Sequence, residues 1–186
     1  MMNDIKSLKK ELQVGDIILC HGDSLISYLI QKVTNSYYNH VTMYVGNGLI
    51  IEADSNAVSK TSLRKYENKP IKVLRHKTAK PTDLEEIVNY AEDNFMGDDY
   101  DWGQIFELGW LYITGKRGTA SKIGSDNKFI CSELVAVSYI FKGYRISDRL
   151  PVEQISPADY QNSKYLKDIY ITGGKYNGRT SNSMEI

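Results

Sequence analysis

Apolar and polar positions alternate with two different periods along this chain, and the changes of period mark its elements. Ile5, Leu8 and Leu12 recur at helical spacing, so residues 3–12 read as a short helix. The run VGDIILC reads as a buried strand reached through a Gly-Asp turn. Leu25, Tyr28, Leu29 and Val33 return to the helical period, with Asp23 or Ser24 placed as an N-cap. The clearest local signal is HVTMYVGNGLIIEAD, in which two β-rich runs flank Gly46-Asn47-Gly48 and predict a hairpin. SLRKYENKP reads as a loop or turn and Ile71–Arg75 as a strand. KPTDLEEIVNYAEDNFMG predicts a helix capped by Thr82 or Asp83, with acids in its first turn and Gly97 at its end.

The second half is less regular. YDWGQIFELGWLYITG is aromatic-rich and helical in part; it suits core and sheet cover, or the wall of an apolar substrate pocket. KRGTASKIGSDNK is a polar loop. NKFICSELVAVSYIF then opens an apolar helix at Cys131 that runs to about Gly143. RISDRLPVEQISPADYQNS reads as a loop with short turns, LKDIYITG as a last strand, and residues 173–186 as a loosely held polar tail. With strands early, helices later, no internal repeat and no clean linker, the pattern predicts one α+β domain over residues 1–186.

Composition narrows the function classes. The 23 basic and 23 acidic residues balance, so no global field draws the chain to nucleic acid or an anionic membrane. No run reaches the roughly 18 apolar residues of a membrane span, so no stable membrane insertion is expected. The N-terminal residues carry charges without an apolar stretch, which points to a cytoplasmic location. Two cysteines far apart do not make a disulfide framework; they suit a reducing compartment or an enzyme thiol.

Candidate chemistry centres on one of those cysteines. There are three histidines, and His40 opens the strand HVTMYVG. Alternation puts His40, Thr42 and Tyr44 on one face and Val41, Met43 and Val45 on the other. Glu52 interrupts the apolar return strand, and its facing depends on the loop. A three-residue loop, Gly46 to Gly48, pairs Thr42 with Glu52 and leaves Glu52 diagonal to His40 on the same face. A two-residue loop, Asn47-Gly48, pairs Met43 with Glu52 and turns the carboxylate away. Asp54 is the fallback partner. Cys131 stands at a helix N-terminus, where the macrodipole lowers a thiol pKa and a free backbone N–H can bind an oxyanion. A histidine beside it would serve as general base and acid, and a carboxylate would orient that histidine. A lone cysteine is more often a small core residue, so Cys131 becomes a candidate nucleophile only in company with His40 and Glu52.

VGDIIL, NHVTMYVGNGLIIEA, YDWGQI, FICSELV and ISPAD follow one another in that order. Together they resemble the permuted branch of the NlpC/P60 papain-like superfamily, the YiiX-like cysteine peptidases, over roughly Leu12 to Tyr160. The histidine precedes the cysteine in that branch, as it does here. The resemblance implies a circularly permuted papain-like fold, a small antiparallel sheet packed on helices. It also implies Cys131 as nucleophile, His40 as base and Glu52 as third residue. No cofactor and no metal are expected. The implied activity is that of a cysteine peptidase or amidase acting through an acyl-enzyme on a small peptide or muropeptide of the bacterial cell wall. Alternatives are a lipid acyltransferase or thioesterase of the lecithin retinol acyltransferase type, and a non-catalytic binding module on the same fold.

His21, Asp23 and Tyr38 are candidate substrate-binding residues at the border of the cleft, with Asp23 suited to a substrate amine. Cys20 and His21 are strand neighbours that point to opposite faces, so they do not form a dyad; Cys20 reads as buried and His21 as a loop residue. Cys20, His21, His40 and Cys131 are zinc-ligand types without the usual paired spacing. His76 reads as a surface residue, and the lysines at 60, 65, 69, 72, 77 and 80 as a solvated face.

Overall fold

A computed structural model describes residues 8–22, 31, 36–53, 57–100, 128–129, 131–149, 152 and 155–171. The predicted helix over 24–33 (residue 31 apart), the aromatic segment beyond Tyr100, the polar loop, the tail, Asp23 and Asp54 lie outside them. The described chain is mixed α/β. Its six-stranded sheet has the order β4-β3-β2-β1-β5-β8, formed by β1 (Ile17–Cys20), β2 (His40–Gly46), β3 (Leu49–Ala53), β4 (Val58–Ser62), β5 (Ile71–His76) and β8 (Leu166–Ile171). All its neighbours are antiparallel. A separate parallel pair joins β6 (Asp99–Tyr100) to β7 (Lys128–Phe129).

Both faces of the sheet are covered, and the period-2 alternation sorts its residues between them. One face carries Ile17, Leu19, Val41, Met43 and Ile51 into a core shared with α1 (Pro81–Phe95), α2 (Cys131–Phe141) and α3 (Pro157–Gln161). The other carries Ile18, Cys20, Tyr44 and Ile50 against Leu8 and the 3-10 turn Leu63–Tyr66. The IILC strand is buried on both faces because it lies between β2 and β5 and under both layers. Gly15, at the turn before it, has φ +84° and sits so close to Leu84 that a Cβ there would come within 2.8 Å of the leucine side chain.

α1 forms where Leu84, Ile87, Val88, Ala91 and Phe95 recur at helical spacing, and all five are buried. Its start differs from the expectation. Lys80 is the N-cap residue, Pro81 opens the helix, and no side chain caps it. Proline at the first position needs no N–H partner, and Asp83 instead accepts a hydrogen bond from the Tyr144 hydroxyl. Gly97, with φ +86°, ends the segment as expected.

The hairpin combines parts of both loop readings. Its turn is the two-residue Asn47-Gly48, with φ of 54° and 77°. Yet Met43 pairs with Ile51, because an irregularity between Tyr44 and Gly46 leaves Val45 as an extra residue in β2. The bulge shifts the register by one. Continued along the strands, that register sets Thr42 opposite Glu52 and Glu52 diagonal to His40. The facing expected of a three-residue loop is thus reached with a two-residue turn.

Three further expectations need correction. VSKTS, of which only Ser62 fell in the expected SLRKYENKP loop and the rest in no expected element, is the edge strand β4, and it pairs with β3 from Leu49↔Ser62 to Ala53↔Val58. His76 is 5% exposed and not a surface residue. Its Nδ1 accepts from the backbone N–H groups of Thr78 and Ala79, and its Nε2–H donates to the Arg145 carbonyl. Of the supposed solvated lysines, Lys72 is buried against Asp168, while Lys65 binds Glu52.

Candidate active site

β2 begins with His40 near the middle of the sheet, and α2 begins with Cys131 on the layer that packs over β2 and β3. The first turn of α2 is tied to the 155–160 stretch by two side-chain hydrogen bonds. Ser132 Oγ donates to the Ile155 carbonyl at 2.6 Å, and the Tyr160 hydroxyl donates to the Ser132 carbonyl at 2.5 Å. The ISPADY stretch that supplies these partners is fixed by its own capping box. Asp159 Oδ2 accepts from both the Ser156 N–H and hydroxyl at 2.8 and 2.7 Å. Deeper in α2, the Tyr139 hydroxyl bonds the Gly15 carbonyl and ties the helix to the start of β1.

Cys131 and His40 share a hydrogen bond. His40 Nε2 lies 2.8 Å from Glu52 Oε2, which leaves Nδ1 as the ring nitrogen for the thiol. Glu52 is fully buried, whereas the His40 side chain keeps 18% exposure at the sheet end. The carboxylate takes two donors on each oxygen. Oε2 accepts from His40 Nε2–H and from the Tyr66 hydroxyl at 2.6 Å; Oε1 accepts from Thr61 Oγ1 at 2.6 Å and Lys65 Nζ at 2.8 Å. With its acceptor sites filled, the group is fixed in rotation and stays ionised despite burial.

The electrostatics follow from these contacts. Burial opposes ionisation of Glu52, but the hydrogen bond and charge of His40, then the bonds from Lys65 and Thr61, hold it well below the usual carboxylate range. Burial also disfavours a charged imidazole, yet Cys131 and Glu52 together push His40 up to about 10. Burial would raise the Cys131 thiol; the positive imidazole and the backbone N–H groups of Val41 and Ser132 lower it. The pair therefore favours thiolate and imidazolium, the form in which sulfur is a nucleophile and the ring holds a proton for a leaving group.

Cys20 is the contrast. It pairs with His40 across β1 and β2, but burial first and the Glu52 charge second push its thiol well above the normal range. It stays a protonated core residue, as expected. Asn39, just before His40, brackets Gly22 with its side-chain amide, accepting from the Gly22 N–H and donating to its carbonyl, both at 3.0 Å. His21 stacks on Tyr37 with ring centroids 4.3 Å apart and donates from Nδ1 to the Tyr37 carbonyl. It thus stands on the stretch that leads into the histidine strand. Tyr38 is 5% exposed and packed in the core, with burial raising its hydroxyl pKa.

Thr61, Lys65, Tyr66 and Asn39 were absent from the expected site. Thr61 stands opposite Ile50 on an edge strand that the sequence pattern did not mark. Lys65 and Tyr66 come from a single 3-10 turn with no periodic signal.

A six-stranded antiparallel sheet under helices, with the histidine strand ahead of the cysteine helix in the chain, defines a permuted papain-like enzyme. The chain belongs to the permuted papain-like amidase family YaeF/YiiX, C92, which it matches over residues 11–170. It is accordingly a cysteine peptidase or amidase in the general sense of that family. Among solved structures it is similar to the metalloprotein YiiX of Escherichia coli O157:H7, at 20% identity and a TM-score of 0.66, over 87% of this chain and 98% of that one. At that identity the likeness is one of fold. No curated protein matches the chain in sequence. No helix among the described residues is long and apolar enough to cross a membrane. Among the same residues, no three His, Cys, Asp or Glu side chains are grouped to hold a metal ion.

Proposed function

We propose that Cys131 is the nucleophile, His40 the general base and acid, and Glu52 the orienting carboxylate of an amidase that cuts a small peptide or muropeptide. The observation that carries this reading is the continuous connection from the Cys131 thiol through His40 to the buried Glu52 carboxylate. The Cys131 thiolate adds to the amide carbonyl carbon. Cys131 stands at the first position of α2, ahead of the intrahelical hydrogen bonds, so its N–H is the donor assigned to the oxyanion. The tetrahedral adduct collapses as the C–N bond breaks, and the His40 proton passes to the departing amine. Water then adds to the thioester while His40 takes its proton, and the acid leaves with regeneration of the thiolate. Glu52 keeps its negative charge throughout and holds the ring in register.

The family's amidase character favours a C–N bond over an ester or thioester. The test is a substrate panel: short peptides and muropeptide fragments assayed for free amine, against acyl thioesters and phospholipids. Amine release from the peptides, lost in Cys131→Ala, is expected. Turnover of lipids or thioesters alone would place the chain with the acyltransferases instead.

A further inference from the structure

We infer that Lys65 and Tyr66, on the 3-10 turn behind the third residue, are positioning residues that set the pH window of the Cys131–His40 pair through Glu52. This inference rests on the amidase reading of the same site.

The geometry separates their roles. Tyr66 donates to Oε2, the same oxygen that receives His40 Nε2–H, at 2.6 Å against 2.8 Å for the histidine. Its ring also lies nearly parallel to the imidazole, 27° apart with centroids at 6.2 Å. One residue therefore holds both partners of the histidine–carboxylate bond and competes for the oxygen's electron density. Lys65 bonds the other oxygen at 2.8 Å and is 37% exposed against 0% for the carboxylate. It is a partly solvated cation set against a buried anion, and Thr61 fills the remaining position without charge. Glu52 consequently faces His40 with its charge partly compensated.

Among the described residues, the ionisable groups around this centre come from each packed element. β2 supplies His40, the turn Lys65 and Tyr66, β1 the protonated Cys20, and α2 Cys131. Lys69 stands over the Tyr66 ring, 5.9 Å from its centroid, and its charge also reaches Cys20. Removing the Lys65 cation lowers the positive potential at both members of the pair, so both proton affinities rise. The effect is larger at His40, which bonds Glu52 directly. Removing the Tyr66 hydroxyl makes Oε2 a stronger acceptor, which again strengthens its hold on the imidazolium proton.

The experiment is the rate of Cys131 alkylation by iodoacetate, an anion that the imidazolium attracts, from pH 5 to 11, on folded wild type, Lys65→Met, Lys65→Arg and Tyr66→Phe. Lys65→Met moves both limbs of the profile upward, the alkaline one by about half a unit, as suits a partly solvated pair. Lys65→Arg keeps the wild-type limbs, and Tyr66→Phe raises the alkaline limb alone. A purely structural role lowers the melting temperature and leaves the limbs in place; that outcome in Lys65→Met, or in Tyr66→Phe should the lysine variant not fold, overturns the proposal while the active-site reading stands. A wild-type thiol with no enhanced labelling window overturns the reading itself, and this proposal with it.

Discussion

His40 Nε2 lies 2.8 Å from a Glu52 oxygen that has no exposure to solvent, and the register joining the two residues depends on one extra residue, Val45, in the histidine strand. The bond and the bulge are therefore one feature. Without the bulge, a two-residue turn pairs Met43 with Glu52 and sends the carboxylate to the opposite face of the sheet.

Truncating the carboxylate tests its burial. Glu52→Ala leaves Lys65, Tyr66, Thr61 and the imidazolium without their common acceptor, and the expected loss is about 3–5 kcal/mol. Glu52→Gln keeps the volume but offers a donor where four donors converge. It is expected to lower kcat/KM by about 100-fold or more. Urea unfolding and steady-state kinetics on the two variants measure these effects.

The same group controls acid stability. The folded-state pKa of Glu52 is depressed from an unfolded value of about 4.3. Its stabilisation is fully present above that value and is lost as pH falls below it. Urea midpoints of the wild type therefore drop between pH 5 and 3, and Glu52→Gln drops less steeply over that range.

His76 acts at higher pH. Its Nδ1 accepts from Thr78 and Ala79 and its Nε2–H donates to Arg145, so the neutral ring is the bonded form. Burial lowers its folded pKa despite the Arg145 bond, from about 6.5 unfolded. Its contribution is complete above 6.5 and declines as pH falls below it. His76→Gln is expected to flatten the stability profile between pH 7 and 5.5, read as urea midpoints.

How much of this could be read from residues alone depended on whether the signal was local. Alternation in HVTMYVG gave the facing of His40, Val41 and Met43, and the apolar spacing in LEEIVNYA gave α1. The Glu52 facing hung on a bulge, and a one-residue insertion in a β-rich run leaves no mark when its neighbours are equally β-prone. β4 was missed because an edge strand alternates polar and apolar residues weakly; VSKTS buries only Val58. Lys65 and Tyr66 lie thirteen and fourteen residues from Glu52 on a short turn, and only the folded sheet brings them behind it. The role of ISPAD as a brace for the Cys131 helix is likewise a tertiary fact, although its Ser-x-x-Asp capping pattern is local.

That brace makes a further prediction. Tyr160→Phe removes the donor to the Ser132 carbonyl and leaves the ring in the core. The expected cost is about 0.5–1.5 kcal/mol of stability, with slower labelling of Cys131 as its first turn loosens. Thermal melts and labelling rates at pH 7 measure the two effects together.

The central claim is that Cys131 is a thiolate because His40 is beside it. The direct measurement is the pH dependence of Cys131 alkylation, followed by mass spectrometry at that residue, in wild type and His40→Ala. The account predicts rapid labelling of the wild type well below pH 8.5, the ordinary thiol value, and an ordinary rising curve for His40→Ala. Identical slow curves in the two proteins, each rising only near pH 8.5, would contradict it.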